Sequence, residues 1–397
     1  MTTTLEQLQA GQLAGTRHLK LACGLTEFPR EILDLADTLE VLDLSGNALT
    51  VLPDDFARLR KLRILFASNN PFTELPPVVG QCPQLSMVGF KANSIRTVAE
   101  HALPLRLRWL IFTDNEIDAL PPEIGRCSDL AYAGNPFGEA LEAAALDDTP
   151  IAGIGWNDLR LHEPLGEGAS GVIYRAELRT SASAARPVAV KLFKGAVTSD
   201  GLPDCEMAAC MQSGDHPNLI AVAGKVKDHP ANAHGLVMEL IAPQYRNLAG
   251  PPNFESCTRD IYDAAARFKP ADVVEMAYGI ASAACHLHRR GVMHGDLYAH
   301  NILHDGQARV LLGDFGAASF YSTENRESGA ALERLEVRAY GCLLEELTAR
   351  CDWSDSLASA EVAAKLAGLR DSCLSEDVES RPLFEQIASE LFALKAR

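Results

Sequence analysis

A repeat restricts the fold more than any other feature. From residue 16 the sequence returns to one pattern every 22 or 23 residues, with units opening at Thr16, Leu39, Leu62, Leu85 and Leu107 and a truncated one at Leu130. A period of this length signals a solenoid, in which each unit buries its apolar face only against its neighbours. The second unit, LEVLDLSGNALTVLPDDFARLRK, sets Leu39, Leu42, Leu44, Leu49, Leu52, Phe56 and Leu59 where a short strand and a returning arc point inward. Asn47, Asn70, Asn93 and Asn115 recur at one position. An amide there satisfies backbone groups left open as the chain turns off the strand. Cys82 and Cys127 take the slot of Leu59 and Leu105 and read as small apolar fillers. Lying two repeats apart, their Cα atoms should be about 10 Å from each other, too far for a disulfide.

The asparagine turn followed by Leu52-Pro53, Leu75-Pro76 and Leu120-Pro121 resembles the leucine-rich repeat family, over about residues 16 to 140. Residues that alternate outward from the leucines form the inner face of such a solenoid. His18, Val41, Ile64, Met87, Trp109 and Tyr132 make one column, with Phe66 and Ile111 in the next. A contiguous exposed apolar stripe marks a contact surface. The stripe is therefore expected to bind a protein ligand or to dock on the chain's own second domain.

Past Asn135-Pro136-Phe137 the period is lost. In LHEPLGEGASGVIYRAEL, Gly166, Gly168 and Gly171 are followed by an alternating, β-branched run. A dinucleotide fold needs a helix there, so the glycines read as the bend of a hairpin lying over phosphates. VAVKLF puts Ala189, Lys191 and Phe193 on one face of a strand. A lysine among apolar neighbours needs an anionic partner. Phosphates supply one, and a helix carboxylate another: Glu206 is the first choice, Asp204 the second. Val273, Ala277, Ile280, Ala284 and Leu287 form the stripe of a core helix opening at Pro270. It leads into HGDLYAHNILHDGQARVLLGDFG, where Asp296, Asn301 and Asp314 combine a proton acceptor with an amide and a carboxylate able to hold a divalent metal.

In order, the glycine loop, VAVK, HPNL, GLVMELI, HGDLYAHN and DFG resemble a protein kinase domain over residues 159–397. The resemblances imply an α/β leucine-rich repeat solenoid (1–140), a linker (141–158) and an α+β bilobal kinase fold, with its N-lobe about 159–241 and its C-lobe about 242–397. ATP and Mg²⁺ are the implied cofactors. Gly166, Gly168 and Gly171 would cover the phosphates, and Met238 would be the gatekeeper. Glu239 and Ile241 would meet the adenine edge, with Ile173, Ala189 and Leu303 on its faces. Lys191 would pair with Glu206, Asp296 would take the proton, and Asn301 and Asp314 would hold Mg²⁺. His294 reads as a core piece. Departures also stand out. Ser/Thr kinases carry lysine where this chain has Tyr298, and tyrosine kinases carry arginine where it has His300. His300 is expected to donate the missing hydrogen bond to the γ-phosphate. Glu336 takes a position usually given to aspartate, and residues 321–328 read as a polar loop.

The expected function is phosphoryl transfer to protein hydroxyls, serine or threonine slightly favoured. The alternatives are a small-molecule phosphotransferase of the aminoglycoside or choline type, which shares HGDxxxxN, and an inactive scaffold. The net charge of -17 argues against nucleic acid or an anionic membrane as the main partner. Ten cysteines without a CxxC pair suit a reducing compartment. With no basic start before an apolar run, and no run of about 18 apolar residues, the expected location is the cytoplasm.

Overall fold

A computed structural model describes residues 5–148, 151–168, 170–179, 185–194, 201–256, 259–324, 326–353 and 357–395. The chain divides into two units, Met1–Glu139 with Pro252–Arg259, and Ala140–Pro251 with Asp260–Arg397.

In the first unit, a short helix α1 (Leu5–Gln9) precedes six parallel strands: β1 (His18–Lys20), β2 (Val41–Asp43), β3 (Ile64–Phe66), β4 (Met87–Gly89), β5 (Trp109–Ile111) and β6 (Asp129–Ala131). Leu19, Leu42, Leu65, Val88, Leu110 and Leu130 pair in one row and are the core of the coil, each at most 1% exposed. The asparagines stitch successive coils together. Asn70 Nδ2 donates to Leu44 O (3.0 Å) in the preceding coil and to Ala67 O (3.1 Å) in its own, while its Oδ1 accepts the Leu49 N–H (2.9 Å). Asn135 does the same with Phe112 O, Tyr132 O and the Ile117 N–H. The residue that seemed to end the array is its last rung.

The stripe expected on the inner face is corrected in two ways. Asn135 follows Asn115 sooner than Asn115 follows Asn93, so the last coil is short and β6 comes early. Asp129, not Tyr132, therefore pairs with Trp109, and Tyr132 is buried, stacked on Phe137 at 4.9 Å. Val41, Ile64, Met87 and Ile111 are buried too, Phe66 and Trp109 are half-buried, and only His18 is exposed. Alternation identified the face but not its exposure. Leu105 is also not in the core, at 78% exposed, and Leu103 is buried instead. Residues Pro252–Arg259 pack within this unit: Phe254 lies edge-on to His18 at 5.2 Å, and Glu255 accepts from Arg17 and Arg63.

In the second unit, within the stretch expected as a linker, residues 141–148 complete α2 (Pro136–Asp148) and Gly153–Gly155 form β7. Strands β8 (Leu159–Glu167), β9 (Gly171–Leu178) and β10 (Arg186–Phe193) precede α3 (Pro203–Ser213), and β11 (Val222–Lys227) and β12 (Gly235–Glu239) complete a sheet of order β7-β11-β12-β10-β9-β8. Alternation along β10 sends Val188 and Val190 into one cluster, with Ala176 and Val237, and Phe193 into another with Met207 and Met211 of α3. Lys191 shares the α3 side.

After β13 (Arg246–Asn247) comes α4 (Pro270–His288), the expected core helix, whose five stripe residues are each at most 1% exposed. Short strands β14 (Val292–Met293), β15 (Ile302–His304), β16 (Val310–Leu312) and β17 (Ser319–Phe320) carry the polar loops, and α5 (Arg326–Ala349), α6 (Leu357–Cys373) and α7 (Phe384–Lys395) complete the unit. Among the described residues, no helix is long and apolar enough to cross a membrane.

Candidate active site

The turn between β8 and β9 roofs a cavity of ≈ 340 Å³. Gly166, Gly168, Gly171, Ile173 and Met238 line it from the sheet, Lys191 and Glu206 from its inner end, and Asp296 and Asp314 from the loops after α4. A Cβ at Gly171 would collide with the Leu192 carbonyl oxygen, whereas one at Gly166 or Gly168 would meet nothing within 4 Å. The protein's own packing dictates only the third glycine. Glu239 and Ile241 line a neighbouring cavity beside Ala221 and Leu311. Ala189, Asn301 and Leu303 line neither cavity. Ala189 is buried opposite Met238, and Leu303 is half-buried opposite Leu311. Ile220 and Val222, which the sequence reading passed over, supply apolar lining instead; the alternation in LIAVAG was their only signal.

Lys191 and Glu206 form a buried ion pair. Residues two apart on a helix point about 200° apart, so only one of Asp204 and Glu206 can face the lysine, and Asp204 meets His234 at 2.7 Å. Burial pulls the Lys191 pKa down, but the charge and hydrogen bond of Glu206, with Asp314 behind, outweigh it and hold the ammonium above the usual lysine value. Asp314 has a left-handed backbone (φ 50°), and its Oδ1 accepts the Gly316 N–H at 3.2 Å.

His294 is fully buried, as expected of a core piece, with Nε2 2.9 Å from Gly313 O. The next residue, Gly295, donates its N–H to Glu336 Oε1 (2.6 Å). Glu336 Oε2 meets His288 Nε2 (2.6 Å), and His288 Nδ1 lies 2.8 Å from the Tyr321 hydroxyl. Tyr321, expected in a polar loop, is thus a buried anchor at 9% exposure.

Asp296 Oδ2 accepts from Asn301 Nδ2 (2.8 Å) and lies 3.2 Å from His300 Nε2. The other ring nitrogen of His300 is 2.9 Å from Asp260 Oδ1. Carboxylates only accept, so both ring nitrogens donate. Burial pulls the His300 pKa down, but Asp260 and Asp296 raise it to about 10. Burial likewise pushes Asp296 up, and His300, with His294 and Asn301, holds it below the usual aspartate value. The expectation that His300 reaches a γ-phosphate is corrected, because both its nitrogens are engaged with carboxylates. No motif pointed to Asp260, which lies in the unpatterned stretch before α4.

The site residues fit a magnesium nucleotide. Asn301 Nδ2 donates to both Asp296 O and Asp296 Oδ2, which frees Oδ1 for a cation, and the Asp314 carboxylate is a second hard oxygen donor. Among the described residues no cluster of three or more His, Cys, Asp or Glu could hold a metal alone. Two protein oxygens with phosphate and water completing the shell is how Mg²⁺ is usually held. The open space beside Gly166 and Gly168 suits phosphates, and Ile173, Val222 and Met238 suit a flat base.

Residues 159–341 match the protein tyrosine and serine/threonine kinase family, and residues 17–72 the leucine-rich repeat family. Similar proteins include a tyrosine-protein kinase receptor of Caenorhabditis elegans, 27% identical over 42% of this chain and 14% of its own length. A serine/threonine-protein kinase of Arabidopsis thaliana is 25% identical over 59% of this chain and 31% of its own. An Aurora-related protein kinase of Caenorhabditis elegans is 30% identical over 43% of this chain and 52% of its own. The chain spans about half or less of the length of each.

Proposed function

From a chain that joins an N-terminal leucine-rich repeat domain to a C-terminal protein kinase domain, we propose an enzyme that transfers the γ-phosphoryl group of ATP to protein hydroxyls. Serine and threonine are slightly favoured; the relatives include both Ser/Thr and tyrosine kinases, so the acceptor is a matter for the test below. The observation that carries the reading is the meeting of Lys191, Glu206, Asp296 and Asp314 at one cavity roofed by three glycines.

Each residue then has a role. The ion pair with Glu206 aims the Lys191 ammonium at the phosphates, Ile173 and Met238 grip the base, and Glu239 and Ile241 are the backbone beside it. Asn301 and Asp314 hold Mg²⁺, which when bound neutralises charge on the phosphates. Asp296, ionised and fixed through Oδ2, takes the hydroxyl proton at Oδ1. Catalysis of this kind rests on positioning and electrostatics. The repeats, about residues 1–140, select a protein partner or substrate for the kinase domain, 159–397. A cytoplasmic location is supported by ten cysteines scattered without a CxxC pair.

Incubating the pure protein with labelled ATP and Mg²⁺ tests the reading. Label in the protein itself or in added protein, located by phosphoamino-acid analysis, is expected. Label in small molecules alone would make it a small-molecule phosphotransferase, and none would make it a scaffold.

A further inference from the structure

Asp260 lies outside the kinase motifs, yet both its carboxylate oxygens go to one residue of the catalytic loop. Oδ2 accepts the His300 N–H at 2.8 Å, and Oδ1 lies 2.9 Å from His300 Nδ1. The Asp260 side chain has no exposed surface. Asn247 Nδ2 donates to His300 O at 2.9 Å, and Tyr298 stacks against the ring with planes 25° apart. The imidazole is thus fixed in position and tilt. Its remaining nitrogen meets Asp296 Oδ2, the oxygen that also takes the Asn301 amide. Both side-chain hydrogen bonds of the Asp296 carboxylate among the described residues fall on that one oxygen. Turning it over would break both.

Resting on the kinase reading, we propose that Asp260 and His300 are positioning residues for Asp296. Asp260 fixes the ring, and the ring fixes the carboxylate so that Oδ1 is the oxygen offered to the acceptor hydroxyl. Geometry explains why two residues are needed. A guanidinium forks onto a carboxylate and sets its plane alone, whereas an imidazole presents a single N–H to Asp296 and takes its orientation from whatever holds the other nitrogen.

The test uses the full chain at one pH and measures kcat and the ATP KM for wild type, His300→Ala, Asp260→Ala, Asp260→Asn and the double alanine variant. Misplacing a reacting group by about 1 Å costs on the order of 100-fold. His300→Ala and Asp260→Ala should each lower kcat roughly 10- to 100-fold, with the ATP KM within about twofold. Asp260→Asn, which keeps one accepting oxygen, should fall between. The double variant should be no slower than His300→Ala, because the two act in series, and imidazole in the buffer should restore part of the rate to His300→Ala. Melting curves identify any variant that fails to fold, and Asp260→Asn, the mildest change, then carries the decision. An unchanged kcat in folded Asp260→Asn and Asp260→Ala, a loss confined to KM, or additive losses in the double variant would overturn the proposal and leave the kinase reading intact. Absence of transfer in wild type would remove both.

Discussion

Asn70 in the repeats and Asn301 in the kinase domain are the same side chain, and both use the amide nitrogen fully, Asn70 on three carbonyl oxygens and Asn301 on two oxygens of Asp296, at 2.8–3.2 Å. They differ at the oxygen. Asn70 Oδ1 accepts a backbone N–H, as do its counterparts in neighbouring coils, whereas Asn301 Oδ1 takes no hydrogen bond among the described residues. A polar residue that recurs at a fixed interval and is closed off by backbone is architecture. One that occurs once and keeps an acceptor open is available to a ligand. The contrast extends to tolerance, since in the array a loss is local and in the kinase domain each group is alone.

The sharpest way to break that contrast is Asp296→Asn. Phosphotransfer should fall about 1,000-fold, within the range for a lost general base, with ATP affinity within about twofold and an unchanged melting curve. A loss below about tenfold in a radiolabel assay would mean that the site is not singular. Next in size is a crossed pair. Asn70→Ala strands backbone groups in two coils and should lower the stability of the repeats by about 2–4 kcal/mol in denaturant titrations, without changing turnover. Asn301→Ala should do the reverse, raising the Mg²⁺ concentration needed for half-maximal rate. Equal effects on both readouts would erase the distinction.

The glycines sharpen it further. Gly171→Ala forces a methyl group against the Leu192 carbonyl and should cost about 1–3 kcal/mol of kinase-domain stability. Gly168→Ala has room, so it should leave melting unchanged and weaken ATP binding severalfold. The smallest effect is on pH. Burial, then His286 and Arg290, lowers the His216 pKa to about 4, so its stabilisation is complete above about pH 6.5 and is lost as pH falls toward 4. His300, raised to about 10, contributes in full below pH 6.5 and does not vary in that window. Between pH 6.5 and 5 the kinase domain should lose about 1 kcal/mol, allowing for partial exposure. The repeats should not, because the shifted carboxylates Glu40, Asp43 and Glu116 are all held below the usual carboxylate range. Calorimetry of wild type against His216→Gln reads the difference.

Much of this was legible in the chain. A fixed period reports its own slots, so the leucine row and the asparagine rungs could be placed residue by residue, until the period shortened and Tyr132 was carried into a column that Asp129 occupies. Extrapolating a repeat has no way to detect a short unit. The kinase motifs likewise named Lys191, Glu206, Asp296 and Asp314, which line one cavity, because strand alternation and helix phase constrain where a side chain can point. Leu303 and Ala189 line neither cavity, because alternation leaves open which apolar residue of a strand reaches it. Asp260 could not have been found, since it meets His300 across 40 residues of sequence without a pattern.

The buried hydroxyl of Tyr321 has one more consequence. The segment after Asp314-Phe315-Gly316 is short, with residues 317–325 alone before α5, and it is pinned by β17 on β14 and by Tyr321 on His288. A phosphoryl dianion on that oxygen would sit in a dry site close to the Glu336 carboxylate, where like charges repel. Ser322 and Thr323, and Ser328 at the start of α5, are exposed and offer hydroxyls to a modifying enzyme without first peeling the segment away. The tyrosine thus serves as a latch, and any modifying enzyme would meet the exposed hydroxyls before it.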